Sequence, residues 1–163
     1  MSYKEKLHDV YLGLGSNLGD RGENLHHAID KIEERIGEIV ATSAFYVTDP
    51  AGFVSENQFL NAACLVKTPL SSFEVLTITQ DIEKEMGRQV KSQNNIYIDR
   101  IIDIDILLYD KEIIDTDALT IPHPNMNNRP FVILPLSEIA AQVVHPILNK
   151  TIEGIWSELK VNS

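Results

Sequence analysis

One segment of this chain, residues 99–109 with the sequence DRIIDIDILLY, limits the possible folds more than any other. Its isoleucines and leucines are typical of a buried strand, but Asp103 and Asp105 lie among them. Because side chains alternate between the two faces of a strand, both aspartates share one face and the neighbouring isoleucines share the other. The attachment points of the two carboxylates are then roughly 7 Å apart. Such a face is either the solvated side of an antiparallel sheet or a site for one or two divalent cations.

Length, charge and cysteine content restrict the class of protein. The 163 residues predict a single domain, residues 1–163. The net charge of −10 argues against nucleic acid or an anionic membrane as the partner. The single cysteine, Cys64, excludes an internal disulfide and fits a reducing compartment, and the N-terminus has no signal-peptide core. No apolar run approaches the roughly 20 residues that span a membrane. We therefore expect a cytoplasmic protein with no nucleic-acid or membrane partner.

Hydrophobic periodicity predicts the order of the secondary-structure elements. Strands are predicted over residues 10–14, 39–47, 59–67 and 101–109, and helices over residues 24–36 and 71–87. The order β-α-β-β-α-β, followed by a C-terminal extension, is that of a ferredoxin-like α+β fold. In that fold both helices pack on one face of the sheet, so we expect the other face to be available. In the extension we expect a helix-like FVILPLSEIA segment and an amphipathic turn around Ile152.

Spacing excludes two nucleotide-binding motifs. Gly13, Gly15 and Gly19 follow the first strand, but their G-x-G-x-x-x-G spacing is one residue too long for the dinucleotide-binding fingerprint. The chain also has no G-x-x-x-x-G-K-[ST] segment, so it is not a P-loop enzyme.

Basic residues are concentrated around the acidic pair. Of the five arginines, Arg88, Arg100 and Arg129 flank the Asp-bearing strand in sequence, and Lys91 and His123 lie in the same half. Carboxylates hold a hard cation while guanidinium groups bind phosphate oxygens, so this pattern favours a polyphosphate bridged by magnesium. The alternative is that these arginines form structural ion pairs with neighbouring acids.

Aromatic residues add a second candidate feature. Phe59 and Asn61 are two apart on a predicted strand and share a face, and Phe131 follows Arg129 by two. Two aromatic rings and an amide are able to sandwich a flat heterocycle and bind its polar edge. Taken alone, an aromatic residue on a strand belongs more often to the core.

Five segments together resemble one family. They are LGLGSNLGDR near the start, FLNAA at residues 59–63, QDIEKEMGR at residues 80–88, DRIIDIDILLY, and PHPNMNNRPFVILPL. In this order, between residues 10 and 146, they resemble the 6-hydroxymethyl-7,8-dihydropterin pyrophosphokinases of folate biosynthesis. The combination of R-x-x-D-[IL]-D-[IL] with P-H-x-x-x-x-x-R is specific for that family.

The resemblance implies a ferredoxin-like fold and the transfer of a whole pyrophosphoryl group. The hydroxymethyl oxygen of the pterin attacks the β-phosphorus of ATP, and AMP leaves. ATP is then a co-substrate, and two Mg²⁺ ions bound by Asp103 and Asp105 bridge the triphosphate and the attacking hydroxyl. The turn at Gly15, Ser16 and Asn17 lies near the pterin pocket and is not a phosphate loop.

The resemblance also implies which residues form the site. The pterin-binding positions are Thr48, Ala51, Gly52, Phe59, Asn61 and Phe131. The ATP-binding positions are Gln80, Glu83, Arg88, Lys91, Tyr97, Arg100, Ile106, Thr120, His123 and Arg129. Arg88 and Arg100, with Asp103 and Asp105, are the expected catalytic residues, the arginines relieving charge during transfer.

Departures from the family pattern lie mainly between Arg88 and Arg100. This segment is about two residues longer than in the best-known relatives, and it has Tyr97 in place of a usual Trp and Lys91 beside the position of a usual basic residue. Outside it, Ala118 and Pro124 replace an arginine and an aromatic residue. The segment is polar and without periodicity, so we expect residues 88–102 to act as a lid that closes over the substrates.

Two other classes of function stay open. A metal-dependent phosphohydrolase or nuclease would use the same aspartates without any pterin. A non-catalytic ferredoxin-like module would bind a small ligand without magnesium. For the pyrophosphokinase we expect a monomer with 6-hydroxymethyl-7,8-dihydropterin and ATP as its ligands.

Overall fold

The centre of the protein is a five-stranded antiparallel sheet. The computed structural model describes residues 6–48, 58–87 and 101–161. The strands are β1 (His8–Ser16), β2 (Glu38–Thr42), β3 (Tyr46–Thr48), β4 (Phe59–Thr68) and β5 (Asp103–Tyr109), and helices α1 (Arg21–Arg35) and α2 (Ser72–Glu85) follow β1 and β4. The strand order is β2-β4-β1-β5, with β3 also paired to β4. This is the predicted ferredoxin-like α+β arrangement.

The single strand predicted over residues 39–47 was wrong, because two strands form there. Both pair with β4, β2 along its second half and β3 along its first. Between them the Ser43 hydroxyl accepts a hydrogen bond from the Ala63 N–H (2.9 Å) and donates one to the Ala44 carbonyl (2.8 Å). These local side-chain bonds compete with the regular ladder and interrupt the strand.

Helices α1 and α2 cover one face of the sheet. Leu25, Ala28 and Ile32 of α1 are fully buried, as their spacing predicts. They belong to the same core as Ile104 and Ile106 of β5. The isoleucine face of the Asp-bearing strand therefore faces these helices, and the aspartates lie on the opposite face.

Side-chain caps set the helix starts. Helix α1 begins before the predicted residue 24 because Asp20 Oδ1 accepts a hydrogen bond from the Glu23 N–H (3.0 Å). In α2 the Ser71 hydroxyl accepts from the Glu74 N–H (3.2 Å), and Glu74 Oε1 accepts from the Ser71 N–H (3.0 Å). This reciprocal pair is a capping box, which satisfies two N–H groups at the helix start.

The expectation that the other face of the sheet is available was wrong for most of that face. The C-terminal extension forms helices α3 (Pro130–Ala140) and α4 (Ile152–Val161), so the amphipathic turn predicted near Ile152 is a helix. A second core joins Leu107 and Ala63 of the sheet to Ile133, Leu136 and Ile155 of these helices. The face is covered because its own side chains are apolar away from the aspartates, and exposing them would be costly.

Smaller elements complete the extension. Two short hairpins, β6 (Ile114–Asp115) with β7 (Thr120–Ile121) and β8 (Val144–His145) with β9 (Lys150–Thr151), flank the 3-10 helix Met126–Asn128 and α3. Within the described ranges we find no helix with the length and apolar character needed to cross a bilayer. The predicted lid, residues 88–102, lies outside the described residues except at its last two positions.

The capping box gives a test of the fold. Replacing Ser71 by Ala removes the hydroxyl acceptor, so we expect unfolding to become easier by about 1 kcal/mol, which lowers the Tm by roughly 2–4 °C for a chain of this size. Thermal unfolding followed by circular dichroism measures the change. Ser157→Ala, on the exposed surface of α4, is the matched control and is expected to leave the Tm nearly unchanged. An equal Tm for Ser71→Ala and wild type would contradict the assigned cap.

Candidate functional site

The candidate site lies where Gly15 of β1 is flanked by a polar residue on each neighbouring strand. Gly15 is opposite Asn61 of β4 and opposite Asp103 of β5, and two residues earlier Gly13 is opposite Asp105. Residues directly opposite in a ladder share a face. Asn61, Gly15 and Asp103 therefore form one row across the sheet, which we call the Gly15 row.

The lack of a side chain at Gly15 allows the Asn61 amide to lie over it. A Cβ atom added to it would lie 2.9 Å from Asn61 Oδ1 and 3.6 Å from Phe59 Cδ1. The first distance is shorter than a normal contact, so any larger residue would displace the Asn61 amide. Glycine at this position therefore permits the observed position of the amide.

Three of the residues predicted to bind the pterin, Thr48, Phe59 and Asn61, lie together where β3 pairs with β4. Asn61 is buried, and its Nδ2 donates a hydrogen bond to Thr48 Oγ1 (2.6 Å). Thr48 is in turn opposite half-buried Phe59 in the β3-β4 pairing. Since Thr48 holds the amide nitrogen, the orientation of the Asn61 side chain is set before any ligand arrives.

The two aspartates lie on the other side of the row, beside His123. The Nε2 atom of His123 is 4.0 Å from Asp105 Oδ1, whose side chain is 40% exposed. His123 is held by two contacts. Its backbone N–H donates to the Leu107 carbonyl (3.0 Å), and its ring nitrogen Nδ1 lies 2.9 Å from the Pro124 carbonyl. Because the Pro124 carbonyl only accepts hydrogen bonds, Nδ1 is the nitrogen that carries the proton in the neutral ring, and Nε2 is the nitrogen near Asp105.

The surroundings of His123 favour its neutral form over its charged form. The pKa of its imidazole is lowered by desolvation first and by the nearby positive charge of Arg129 second, while the Pro124 carbonyl and Asp103 oppose the shift. Two cation-forming side chains and two carboxylates thus influence one another in this part of the site. Such a mixed group is suited to a ligand that carries both negative charge and metal ions.

Arg129 and Phe131 lie at the start of α3. Arg129 precedes Pro130, the first residue of the helix, and its Cζ lies 5.9 Å from the centroid of the Phe131 ring. This distance is within the range of a cation–π contact. The helix that covers the sheet therefore presents a positive charge and an aromatic ring at its N-terminal end.

Four further residues predicted to bind ATP lie on α2, β5 and β7. Buried Glu83 accepts a hydrogen bond from the Ile104 N–H (2.8 Å), so it supports β5 between the two aspartates. The side chain of Ile106 is buried in the helix-side core, and only its backbone can reach a ligand. Gln80 is exposed on α2, and Thr120 is half-buried on β7.

Six predicted positions cannot be placed. Ala51, Gly52, Arg88, Lys91, Tyr97 and Arg100 lie outside the described residues. Their assignment to the site stays a prediction.

Contacts near the site involve residues that we did not predict. Arg21 Nη1 donates to the Gln58 carbonyl (2.6 Å), next to Phe59, and Asn24 Nδ2 donates to the Leu18 carbonyl (2.8 Å) after β1. In a third contact, the Tyr46 hydroxyl donates a hydrogen bond to Glu138, which joins β3 to α3. Only Tyr46 had a usable sequence signal, because it precedes Thr48 by two and shares its face. The Arg21 contact joins positions 37 apart in the chain, and local patterns do not report it.

The donor set is compatible with magnesium. Within the described part of the chain, no group of three or more His, Cys, Asp or Glu side chains is placed to hold a metal ion. A pair of carboxylates nevertheless fits Mg²⁺, which retains several waters and takes further oxygens from substrate phosphates. The half-exposed position of the aspartates leaves room for both.

Comparison with known proteins identifies the family. Residues 11–141 match the family model described as 7,8-dihydro-6-hydroxymethylpterin-pyrophosphokinase (HPPK). The chain belongs to this family, as the sequence motifs predicted.

Curated relatives agree with the family model. A protein named 2-amino-4-hydroxy-6-hydroxymethyldihydropteridine pyrophosphokinase from Porphyromonas gingivalis is 46% identical over 140 residues, covering 84% of this chain and 93% of that protein. Proteins of the same name from Bacillus subtilis and Aquifex aeolicus are each 43% identical, over 135 and 149 residues. Their alignments cover 82% and 91% of this chain, and 79% and 91% of those proteins.

Solved structures support the fold. A crystal structure of a Plasmodium falciparum HPPK-DHPS triple mutant superposes with a TM-score of 0.77 at 19% identity, covering 96% of this chain and 44% of that one. The wild-type Plasmodium falciparum HPPK-DHPS structure gives a TM-score of 0.75 at 18% identity, covering 96% and 45%. This chain thus spans less than half the length of those proteins, and at this identity the likeness concerns the fold alone.

The close approach of the Asn61 amide to Gly15 can be tested by adding a methyl group at Gly15. In Gly15→Ala the new methyl group must displace the Asn61 amide and break its bond to Thr48, so we expect a loss of stability of about 1–3 kcal/mol. We also expect the side-chain amide resonances of Asn61 to shift in NMR spectra. Gly22→Ala is the matched control, since a Cβ there would meet its nearest atom, Asp20 Oδ1, at 3.9 Å. Unchanged Asn61 resonances in Gly15→Ala would show that the row has more room than the structure indicates.

Proposed function

We propose that the Gly15 row and the residues around it are the active site for the reaction of this family. The chain is an ATP-dependent diphosphotransferase that transfers a pyrophosphoryl group from ATP to 6-hydroxymethyl-7,8-dihydropterin in folate biosynthesis. The observation that supports this location is the Gly15 row itself, where the strand register places an amide and a carboxylate on one face of the sheet, on either side of a glycine.

The pterin is assigned to the Asn61 side of the row. Its flat ring would lie between Phe59 of the sheet and Phe131 of α3, which come from two different layers of the fold. The Asn61 amide, held by Thr48, would bind the polar edge of the ring. With the ring held there, the hydroxymethyl group would be directed along the row toward the aspartates.

The triphosphate is assigned to the Asp103 and Asp105 side. These carboxylates would hold Mg²⁺, and the number of ions, two, follows from the resemblance to the family. When bound, Mg²⁺ neutralises phosphate charge and polarises the reacting oxygens. His123, beside Asp105, would donate to a phosphate oxygen from Nε2 when its imidazole is protonated. Arg129, whose charge acts on His123, would also bind phosphate oxygens, and Arg88 and Arg100 are proposed to do so from outside the described residues.

The reaction balances without further reactants. The hydroxymethyl oxygen forms a bond to the β-phosphorus of ATP, the bond between that phosphorus and the oxygen bridging to the α-phosphate breaks, and AMP leaves. The hydroxyl proton is released. In such transfers positioning and electrostatic stabilisation account for most of the catalysis, which fits a site whose side chains are held by hydrogen bonds in advance. We further propose that the enzyme is a cytoplasmic monomer.

The metal and transfer roles are tested by Asp103→Asn, which keeps the size of the side chain and removes its charge. We expect AMP formation in the presence of ATP, Mg²⁺ and 6-hydroxymethyl-7,8-dihydropterin to fall on the order of 100- to 1000-fold. Asp115→Asn, at an exposed position on β6, is the matched control and should retain wild-type activity.

The same assay separates the alternative functions. AMP formation by wild type should require the pterin. Cleavage of ATP without pterin would indicate a hydrolase, and pterin binding without turnover would indicate a binding module. Full activity in Asp103→Asn would contradict the assigned role of the carboxylate.

A further inference from the structure

Glu138 joins the covering helix α3 to the strand that borders the proposed pterin pocket. Its Oε2 accepts a hydrogen bond from the Ala44 N–H (2.9 Å), between β2 and β3. Its Oε1 accepts a second bond from the Tyr46 hydroxyl, in β3. One carboxylate thus holds two donors on the sheet, and both bonds to it are charge-assisted.

Tyr46 connects this contact directly to the Gly15 row. In the β3-β4 pairing Tyr46 is opposite Asn61, so the two side chains share a face and the row extends to Tyr46. Two residues later Thr48 bonds the Asn61 amide. Any movement of β3 at Tyr46 therefore changes the position of the amide that is proposed to bind the pterin.

At its other end the same helix carries the second proposed pterin contact. Phe131 and Glu138 are seven residues apart on α3, which is about two helical turns and roughly 10 Å. At that spacing the two side chains lie on the same side of the helix. Pro135 lies between them and has no N–H to bond the Phe131 carbonyl, but buried Ile133 and Leu136 hold this part of α3 on the sheet. With that packing, the Glu138 contact limits how far α3, and Phe131 with it, can tilt away from β3 and β4.

The contact is placed to affect geometry more than stability. Glu138 is exposed, and α3 is already held to the sheet by buried Ile133 and Leu136. Exposed polar contacts of this kind contribute little to the free energy of unfolding. The Glu138 bond also raises the pKa of Tyr46, so the hydroxyl retains its proton and remains a donor at ordinary pH.

We propose that Glu138 is a positioning residue. It sets the separation between Phe131 on α3 and the paired strands β3 and β4, and thereby the affinity for the pterin. This inference rests on the proposed function. It concerns a residue that does not touch the substrate and acts through the placement of two that do.

The test measures pterin binding and pterin KM in Glu138→Ala, Glu138→Gln and Tyr46→Phe. We expect about a tenfold weaker pterin affinity in Glu138→Ala, which corresponds to about 1.4 kcal/mol, with kcat at saturating pterin much less affected. Glu138→Gln retains one acceptor oxygen and should restore part of the affinity. In Tyr46→Phe, Glu138 keeps its bond to the Ala44 N–H, so we also expect an intermediate loss of pterin affinity.

A double-mutant cycle with Phe131→Ala distinguishes positioning from a general structural role. If Glu138 acts through Phe131, Glu138→Ala should cause much less additional loss of affinity once the ring is absent. A matched control is Gln142→Ala, which removes another exposed hydrogen bond of the covering layer, from Gln142 Nε2 to Glu153 Oε2 (3.0 Å). It should bind the pterin as wild type does.

Three results would overturn the inference. Wild-type pterin affinity in a folded Glu138→Ala protein would contradict the positioning role and leave the proposed function intact. An equal loss of affinity with and without Phe131 would do the same. Absence of pterin binding by wild type would contradict the proposed function and this inference with it. Circular dichroism and Tm values for each variant show whether the protein is folded.

Discussion

The pairing of β1 with β4 on one side and β5 on the other is the constraint on which the site depends. Its register places Gly15 between Asn61 and Asp103, and places Gly13 opposite Asp105. A shift of β5 by one residue would turn both aspartates toward the helix-side core and the isoleucines away from it. Burying two carboxylates there without partners would be very costly. The apolar core and the site are therefore maintained by the same register.

The C-terminal extension has two functions that depend on each other. Helices α3 and α4 bury the apolar part of the sheet face that α1 and α2 leave exposed. Helix α3 of this layer also carries Arg129 and Phe131, which are proposed to bind the phosphates and the pterin. Because one layer both stabilises the core and carries these residues, we expect changes in its packing to affect ligand binding.

Much of the fold and part of the site could be predicted from local patterns. The period-two alternation around Asp103 and Asp105 describes the two faces of β5 correctly. The helical spacing of Leu25, Ala28 and Ile32 describes the buried face of α1 correctly. The break at Ser43 was missed because it depends on a hydrogen bond to Ala63, twenty positions away in sequence. Glu83 was predicted as an ATP position, and only its contact with the Ile104 N–H shows that it supports β5.

The sequence by itself determined the order of the ferredoxin-like core elements apart from the break between β2 and β3, the two faces of β5, and the family, because these follow from side-chain periodicity and from motifs of adjacent residues. The tertiary structure alone decided which side chains meet. It placed Asn61 against Thr48, His123 beside Asp105, and Glu138 on Tyr46 and Ala44. The physical reason is that hydrogen bonds and charges act over a few ångströms in space, whereas the residues that make these contacts are separated by 13 to 94 positions in the chain.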